Sequence, residues 1–265
     1  MEISIDVCKA VAVRHGLPLQ FVIKEFHVFD VLGQVTAATA ASNDFVFKGG
    51  TALNKVYLKK TQRFSEDLDF DLDTESMAKV RALAEGLSKK IGGYELGGFR
   101  RVGDTIQFSC AYDNLLGNKD SVRIDVAAKR LLTGKPPVML PATSDFSSQS
   151  VTGFRVYSIE DLTARKMHAL RTRSEGKDFF DVHAALPLCG PMRKAIERMI
   201  DSEKSGETAG EFMAKTVERV KKADASKLKN LTNPFIPAPL RPKDWAVLRD
   251  DLAIKLESVS LQENL

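Results

Sequence analysis

The sequence has few of the residues that build sulfur- or imidazole-ligated metal sites. Of its 265 residues, three are cysteine and four are histidine. The cysteines are odd in number and far apart, at Cys8, Cys110 and Cys189, which predicts reduced thiols and argues against a disulfide framework or a zinc site. The histidines show no metal-ligand spacing to one another. Chemistry based on thiolate-bound metal is therefore not expected.

Long apolar runs are also missing. No stretch reaches the length of a membrane-spanning helix, and the segment from Met1 to Gly16 carries acids without an apolar centre, so neither a membrane span nor a signal peptide is expected. With 43% hydrophobic residues, the composition predicts a soluble protein with a cytoplasmic location. The formal net charge of +4 permits a nucleic-acid partner but does not require one.

What the sequence does have is a predicted strand with an aspartate at every second position. In FKGGTALNKVYLKKTQRFSEDLDFDLD, a strand over 64–72 would place Asp67 and Asp69 on one face, about 6.6 Å apart. Neighbouring carboxylates repel, and a sheet has no structural reason to align them unless a cation lies between them. Mg²⁺ takes one or two carboxylates together with substrate phosphates. We therefore predict a metal site for Mg²⁺ or Mn²⁺ at Asp67 and Asp69, and interpret Asp71 and Asp73 as a solvated strand end and turn.

A glycine pair precedes the acidic strand. Gly49 and Gly50 follow a short apolar strand over 44–48 and open a helix over 51–60, so their amides and the Thr51 hydroxyl are placed to bind a phosphate. A glycine pair alone is a weak signal. Followed by a helix and a strand with Asp-x-Asp, it predicts a site for a nucleoside triphosphate (NTP) and its metal.

A third carboxylate on a neighbouring strand would complete the two-metal geometry of phosphoryl and nucleotidyl transfer. The candidate is Asp125 in SVRIDVA, which belongs to the second strand of a hairpin predicted over 105–112 and 121–127. The structural alternative is that Asp125 only forms an ion pair with Arg123 or Lys129.

A second candidate group lies further along the chain. Ser158 and Asp161 have the spacing of a capping box, so a helix is expected to begin there. On that helix Lys166 shares a face with apolar neighbours, and a lysine on an inward face is unfavourable unless it meets an anion.

The elements together predict an α/β (α+β) protein with two domains. The first, residues 1–150, would combine N-terminal helices with a small mixed sheet, and the second, residues 151–265, would be helical and complete the active-site cleft. The composition supports a boundary here, because prolines and a polar run follow Lys135. C-terminal helices are predicted over 159–173, 178–186, 191–201, 208–222 and 243–258.

Four blocks of the sequence resemble the AbiEii/AbiGii family of toxin nucleotidyltransferases, which includes the mycobacterial MenT toxins and is related to the DNA polymerase β superfamily. They are FKGGTAL, RFSEDLDF, ARKMHALRTR and KDFFDVHAAL, and the resemblance covers about Phe47 to Leu186. Beyond Leu186 only the helical character is similar. The segment NKVYLKKTQR between the glycines and the acids is longer than in the wider superfamily.

The resemblance implies roles for further residues. Lys166 would contact the triphosphate, and Asp181 would orient Lys166 or lie near the acceptor hydroxyl. Ser65 would lie in the site, although its hydroxyl could equally form a local hydrogen bond. Asp178, three residues before Asp181 on the same helix face, is a second nucleotide-binding candidate, with helix capping as its alternative.

The predicted reaction is transfer of a nucleoside monophosphate (NMP) from an NTP to an acceptor hydroxyl, with release of pyrophosphate. By resemblance the acceptor is the 3′ end of tRNA, and a cognate antitoxin is the expected protein partner. Two alternatives stay open: modification of protein hydroxyls, and an inert nucleotide-sensing or partner-binding module. Basic side chains of the C-terminal helices fit a solvated face or an RNA-binding face equally well: Lys215, Arg219, Lys221, Lys222, Lys227 and Lys229.

Overall fold

The computed structural model describes residues 3–173 and 175–262. The chain divides into two compact units. The first runs to Leu131 and resumes over Val138–Val156, and the second comprises Leu132–Pro137 and the chain from Tyr157 onward. Within the described residues, no helix is both long enough and apolar enough to cross a membrane.

The first unit begins with helices α1 (Ile5–His15) and α2 (Leu19–Thr39). The Ser4 hydroxyl caps α1 by accepting a hydrogen bond from the Val7 amide, and Gly16, with φ of 60°, ends it. Helix α3 (Gly49–Ala52) continues into a π-helical segment, Leu53–Leu58, and helix α4 (Met77–Ser88) starts after the capping residue Ser76.

A mixed sheet forms the centre of the first unit. Its strands are β1 (Phe45–Lys48), β2 (Leu68–Leu72), β3 (Glu95–Leu96), β4 (Arg100–Val102), β5 (Thr105–Asp113), β6 (Lys119–Ala128), β7 (Val138–Met139) and β10 (Arg155–Val156). Strands β8 (Ala142–Thr143) and β9 (Ser150–Val151) form a separate two-stranded sheet. Their order is β3-β5-β6-β2-β1-β10-β7, with β4 also paired to β5. The pairs β2–β6 and β1–β10 are parallel, and the other pairs in this sheet are antiparallel.

The two faces of this sheet differ because side chains alternate along each strand. Ile106 and Phe108 of β5 and Ile124 of β6 are buried on the face that packs against α2 and α4. Residues between them, such as Gln107 and Asp125, lie on the opposite, partly exposed face. The carboxylates of the predicted site are therefore on the polar face.

The second unit is helical. Its helices are α5 (Ile159–Arg173), α6 (Gly176–Ala185), α7 (Arg193–Glu203), α8 (Ala209–Lys221), α9 (Ala225–Thr232) and α10 (Trp245–Gln262). They surround an apolar core that includes Met167, Phe179, Ile196, Phe212 and Leu252. As predicted, Ser158 begins α5: its hydroxyl accepts from the Asp161 amide and donates to the Asp161 carboxylate.

Several sequence expectations differ from the structure. The acidic strand was expected from residue 64, but β2 begins at Leu68, because side-chain hydrogen bonds hold the segment 62–67 in place of a strand partner. Helix α9 was not predicted. Residues 151–156, expected in the second domain, belong to the first unit, because β10 pairs with β1. Residues 132–137, expected in the first domain, belong to the second unit.

Candidate active site

The sheet register places two of the predicted metal ligands side by side. Asp69 of β2 and Asp125 of β6 are direct partners in a parallel pair. Lys48 is the partner of Asp69 on β1, and Gln107 is the partner of Asp125 on β5. A row of polar residues therefore crosses four adjacent strands, with the two carboxylates in its centre.

Asp67 lies one residue before β2 and joins this group electrostatically. Burial raises the pKa of Asp67, Arg123 opposes the rise, and the charge of Asp69 adds to it. Burial also raises the pKa of Asp125, where Arg123 and the Gln107 amide oppose the rise and Asp67 adds to it. Each carboxylate thus feels another at close range, as expected for residues that would share a cation.

Arg123 bridges two of these carboxylates. Its Nη2 donates to Asp67 Oδ2 at 2.6 Å, and its Nε lies 3.3 Å from Asp125 Oδ1. The sequence suggested Arg123 only as an alternative partner of Asp125. Its position two residues before Asp125, on the same strand face, is the signal that could have placed it in the site.

The donor set fits a divalent cation delivered with phosphates. Asp125 Oδ1 is buried and receives no hydrogen bond, so one carboxylate lone pair faces the cluster without a donor. No group of three His, Cys, Asp or Glu side chains in the described part of the chain is arranged to hold a metal ion by itself. Since Mg²⁺ needs only one or two carboxylates when phosphates supply the other ligands, the chemistry of these oxygens suits it.

The glycine turn is fixed by close packing against Asp69. Gly49 has φ of 78°, and a Cβ atom there would lie 2.8 Å from Asp69 Cγ. The Thr51 hydroxyl donates to the Asp67 carbonyl, so in this structure it ties the turn to the acidic segment. Gly50 lies in the first turn of α3.

Asn54 is a positioning residue that the sequence analysis did not identify. Its side chain is fully buried, its Nδ2 donates to the Gly50 carbonyl at 2.9 Å, and its Oδ1 accepts from the Arg63 amide at 2.8 Å. One side chain thereby links the glycine turn to the segment that leads to Asp67.

Ser65 is buried, and its Oγ has no hydrogen-bond partner among the described residues. A buried hydroxyl normally finds a partner, so this donor is available to a ligand.

The interpretation of Asp71 as solvated is wrong: Asp71 is buried and forms an ion pair with Lys48. Asp73 is exposed in the turn, as expected.

In the second unit, the predicted residues form a buried ion cluster. Lys166 Nζ lies 2.8 Å from Asp178 Oδ1 and 3.1 Å from Asp181 Oδ2. Arg173 also donates to both oxygens of Asp178. Burial would raise the pKa of Asp178, but Lys166 and Arg173 outweigh it and lower the pKa to about 2.

Asp178 does not cap helix α6, because Glu175 occupies the N-cap position. Arg173 was not predicted as a site residue, although it lies seven residues after Lys166 and therefore on the same side of α5; its side chain is 50% exposed. The basic helices show pairing with acids: Lys215 with Glu207, Lys221 with Glu257 and Lys222 with Glu218. Such pairs are typical of a solvated face.

A mixed sheet with carboxylates beside a glycine turn is the arrangement expected of a nucleotidyltransferase. The sequence profile of the nucleotidyl transferase AbiEii toxin family, of type IV toxin–antitoxin systems, matches residues 30–260. This chain belongs to that family.

Solved structures show the same fold. MenT4, a nucleotidyltransferase toxin from Mycobacterium tuberculosis H37Rv, matches with a TM-score of 0.70 and 17% identity over 99% of this chain and 92% of its own. A protein from H. pylori assigned as a nucleotidyltransferase matches with a TM-score of 0.53 and 16% identity, over 90% of this chain and 96% of its own. No curated protein sequence matches the chain.

Proposed function

We propose that this toxin-family nucleotidyltransferase transfers an NMP from an NTP to the 3′ end of a tRNA, assisted by Mg²⁺ or Mn²⁺ at Asp67, Asp69 and Asp125. The observation that supports this most directly is the pairing of Asp69 with Asp125 on adjacent parallel strands, directly beside Gly49. Membership of the AbiEii family supports an NTP as the substrate and an antitoxin as a partner. The choice of tRNA rests on the family resemblance.

Residues of the first unit would bind the phosphates and the divalent cation. Amides at Gly49 and Gly50 would bind phosphate oxygens, and the unpartnered Ser65 hydroxyl would donate to one of them. When bound, the divalent cation would neutralise charge on the phosphates and on the leaving pyrophosphate. The acceptor oxygen forms a bond to the α-phosphorus, the bond from that phosphorus to the β-phosphate oxygen breaks, and the acceptor proton passes to a carboxylate or solvent.

The roles predicted for Lys166, Asp178 and Asp181 stay predictions. Lys166 forms ion pairs with both Asp178 and Asp181, so in the proposed role a triphosphate would share or exchange these partners. The cytoplasmic location also stays a prediction.

The test is to incubate the purified protein with each labelled NTP and divalent cation, with total RNA and total protein as acceptors. Asp69→Asn should abolish transfer, since it removes one charge from the centre of the carboxylate row. Asp73→Asn is the matched control, because Asp73 is an exposed aspartate two residues beyond the buried Asp71.

Sequencing of RNA 3′ ends would then identify the base added and the acceptor. Label in the protein pool would replace tRNA by a protein hydroxyl as the acceptor. NTP-dependent thermal stabilisation without pyrophosphate release would instead indicate an inert nucleotide-binding module and overturn the proposed reaction.

A further inference from the structure

We propose that Arg123 is the cation that balances the active-site carboxylates before a metal binds, and that it must leave Asp67 and Asp125 for a divalent cation to enter. Arg123 would then be a positioning residue that sets the metal concentration at which the site fills. This inference rests on the proposed metal site at these aspartates.

One guanidinium reaches both acids, with Nη2 at 2.6 Å from Asp67 Oδ2 and Nε at 3.3 Å from Asp125 Oδ1. These are the oxygens of two proposed metal ligands, and Asp69 lies beside Asp125 in the register. Arg123 therefore lies against the carboxylates between which a divalent cation would bind.

Arg123 is held in place by partly exposed contacts. Its side chain is 49% exposed, and that of Asp67 is 36% exposed, so water and salt screen their contact. The approach to Asp125 is a charge contact without a hydrogen bond, since Oδ1 of Asp125 accepts none. A half-exposed arginine with one good hydrogen bond can be displaced, and it would leave a buried oxygen ready for a new ligand.

Arg123 also offsets the negative charge of these carboxylates. The positive charge of Arg123 lies within 3.3 Å of carboxylate oxygens of both Asp67 and Asp125. Without Arg123, the carboxylates would repel one another more strongly and attract a divalent cation more strongly. Since metal and guanidinium bind the same oxygens, the observed metal affinity is reduced by the fraction of molecules in which Arg123 is bound.

The test compares Mn²⁺ binding to wild type and to Arg123→Gln, with free Mn²⁺ followed by electron paramagnetic resonance and no nucleotide present. Loss of the competing charge should tighten Mn²⁺ binding by about tenfold, the effect of a single charge-assisted hydrogen bond. Arg81→Gln is the matched control: Arg81 belongs to the same unit and pairs with Glu85 at 2.8 Å, but lies on α4 rather than on the sheet face. Arg81→Gln should bind Mn²⁺ like wild type.

Thermal melts give a second readout. The empty Arg123→Gln protein should be less stable than wild type, and saturating Mn²⁺ should stabilise it more than it stabilises wild type. If Arg123→Gln and Arg123→Ala both fail to fold even with Mn²⁺, then Arg123 has a structural role that a metal cannot replace, and the proposal is wrong.

Equal or weaker Mn²⁺ binding by Arg123→Gln would also overturn the proposal, because Arg123 would then not compete with the metal. A third outcome would bear on the proposed function as well as on Arg123. If wild type, Arg123→Gln and Asp69→Asn all bind no Mn²⁺, these aspartates form no metal site, and both the proposed function and this inference fail.

Discussion

Lys166→Met tests whether the buried ion cluster of the second unit stabilises the protein without nucleotide. The Lys166 side chain is 9% exposed, and those of Asp178 and Asp181 are fully buried. If Lys166 existed only to meet a triphosphate, methionine would leave the empty protein as stable or slightly more stable. The two ion pairs of Lys166 with buried carboxylates predict the opposite.

The magnitude follows from what remains after the substitution. Removing one partner of a buried ion pair costs about 3–5 kcal/mol, because the other charge stays buried without it. Arg173 still donates to both oxygens of Asp178, so the loss falls mainly on Asp181 and should lie near the lower end of that range. The assay is denaturant unfolding of the empty protein, read from the shift of the midpoint.

Two variants make the test specific. Lys215→Met removes an exposed lysine paired with Glu207 at 3.3 Å, and should change stability by less than about 1 kcal/mol. Adding Asp181→Asn to Lys166→Met removes the charge left behind and should restore part of the loss. If Lys166→Met is as stable as Lys215→Met, the cluster does not contribute as argued. If NTP stabilises Lys166→Met as much as it stabilises wild type, the predicted contact between Lys166 and the triphosphate is wrong.

Three further predictions follow from single residues. The pKa of Asp178 is about 2 in the folded protein, below its usual value of 3.8. The ionised Asp178 therefore adds about 2 kcal/mol to the free energy of unfolding above pH 4, and this stabilisation is lost as pH falls towards 2. Acid unfolding of Asp178→Asn should lack this pH-dependent loss of stability. Gly49→Ala should abolish NMP transfer, because its Cβ would displace Asp69 and its φ of 78° is unfavourable for alanine, whereas Gly50→Ala, without a positive φ, should act more weakly in the same assay. Asn54→Leu removes the side-chain amide that donates to the Gly50 carbonyl and the oxygen that accepts from the buried Arg63 amide, and thermal melts should show a loss of about 1–3 kcal/mol.

The sequence was informative where local alternation determines the side-chain face. Asp69 and Asp125 could be assigned to the polar face because Phe70 and Val126 had to be buried, and the sheet register then brought these two acids together. Helix α5 was predicted with its observed bounds because Ser158 and the apolar period act within a few residues.

Side-chain partners that are distant in sequence could not be predicted from local alternation. Asp71 looked like a solvated strand end, yet Lys48, far away in the chain, pairs with it inside the fold. The segment before Asp67 looked like a strand, but Asn54 and Thr51 hold it through side-chain bonds. Both differences depend on strand order and register, which local alternation does not specify.

Arg123 and Lys166 both face predicted site acids but differ in exposure. Arg123 is 49% exposed and belongs to a contact that water can replace, whereas Lys166 is 9% exposed and meets two fully buried carboxylates. Salt screens an exposed pair strongly and a buried pair weakly. Raising salt should therefore reduce the stability difference between wild type and Arg123→Gln, and leave the difference between wild type and Lys166→Met nearly unchanged. Denaturant midpoints at low and high NaCl would measure both; an equal response of the two differences would contradict the view that Arg123 is exchangeable and Lys166 is fixed.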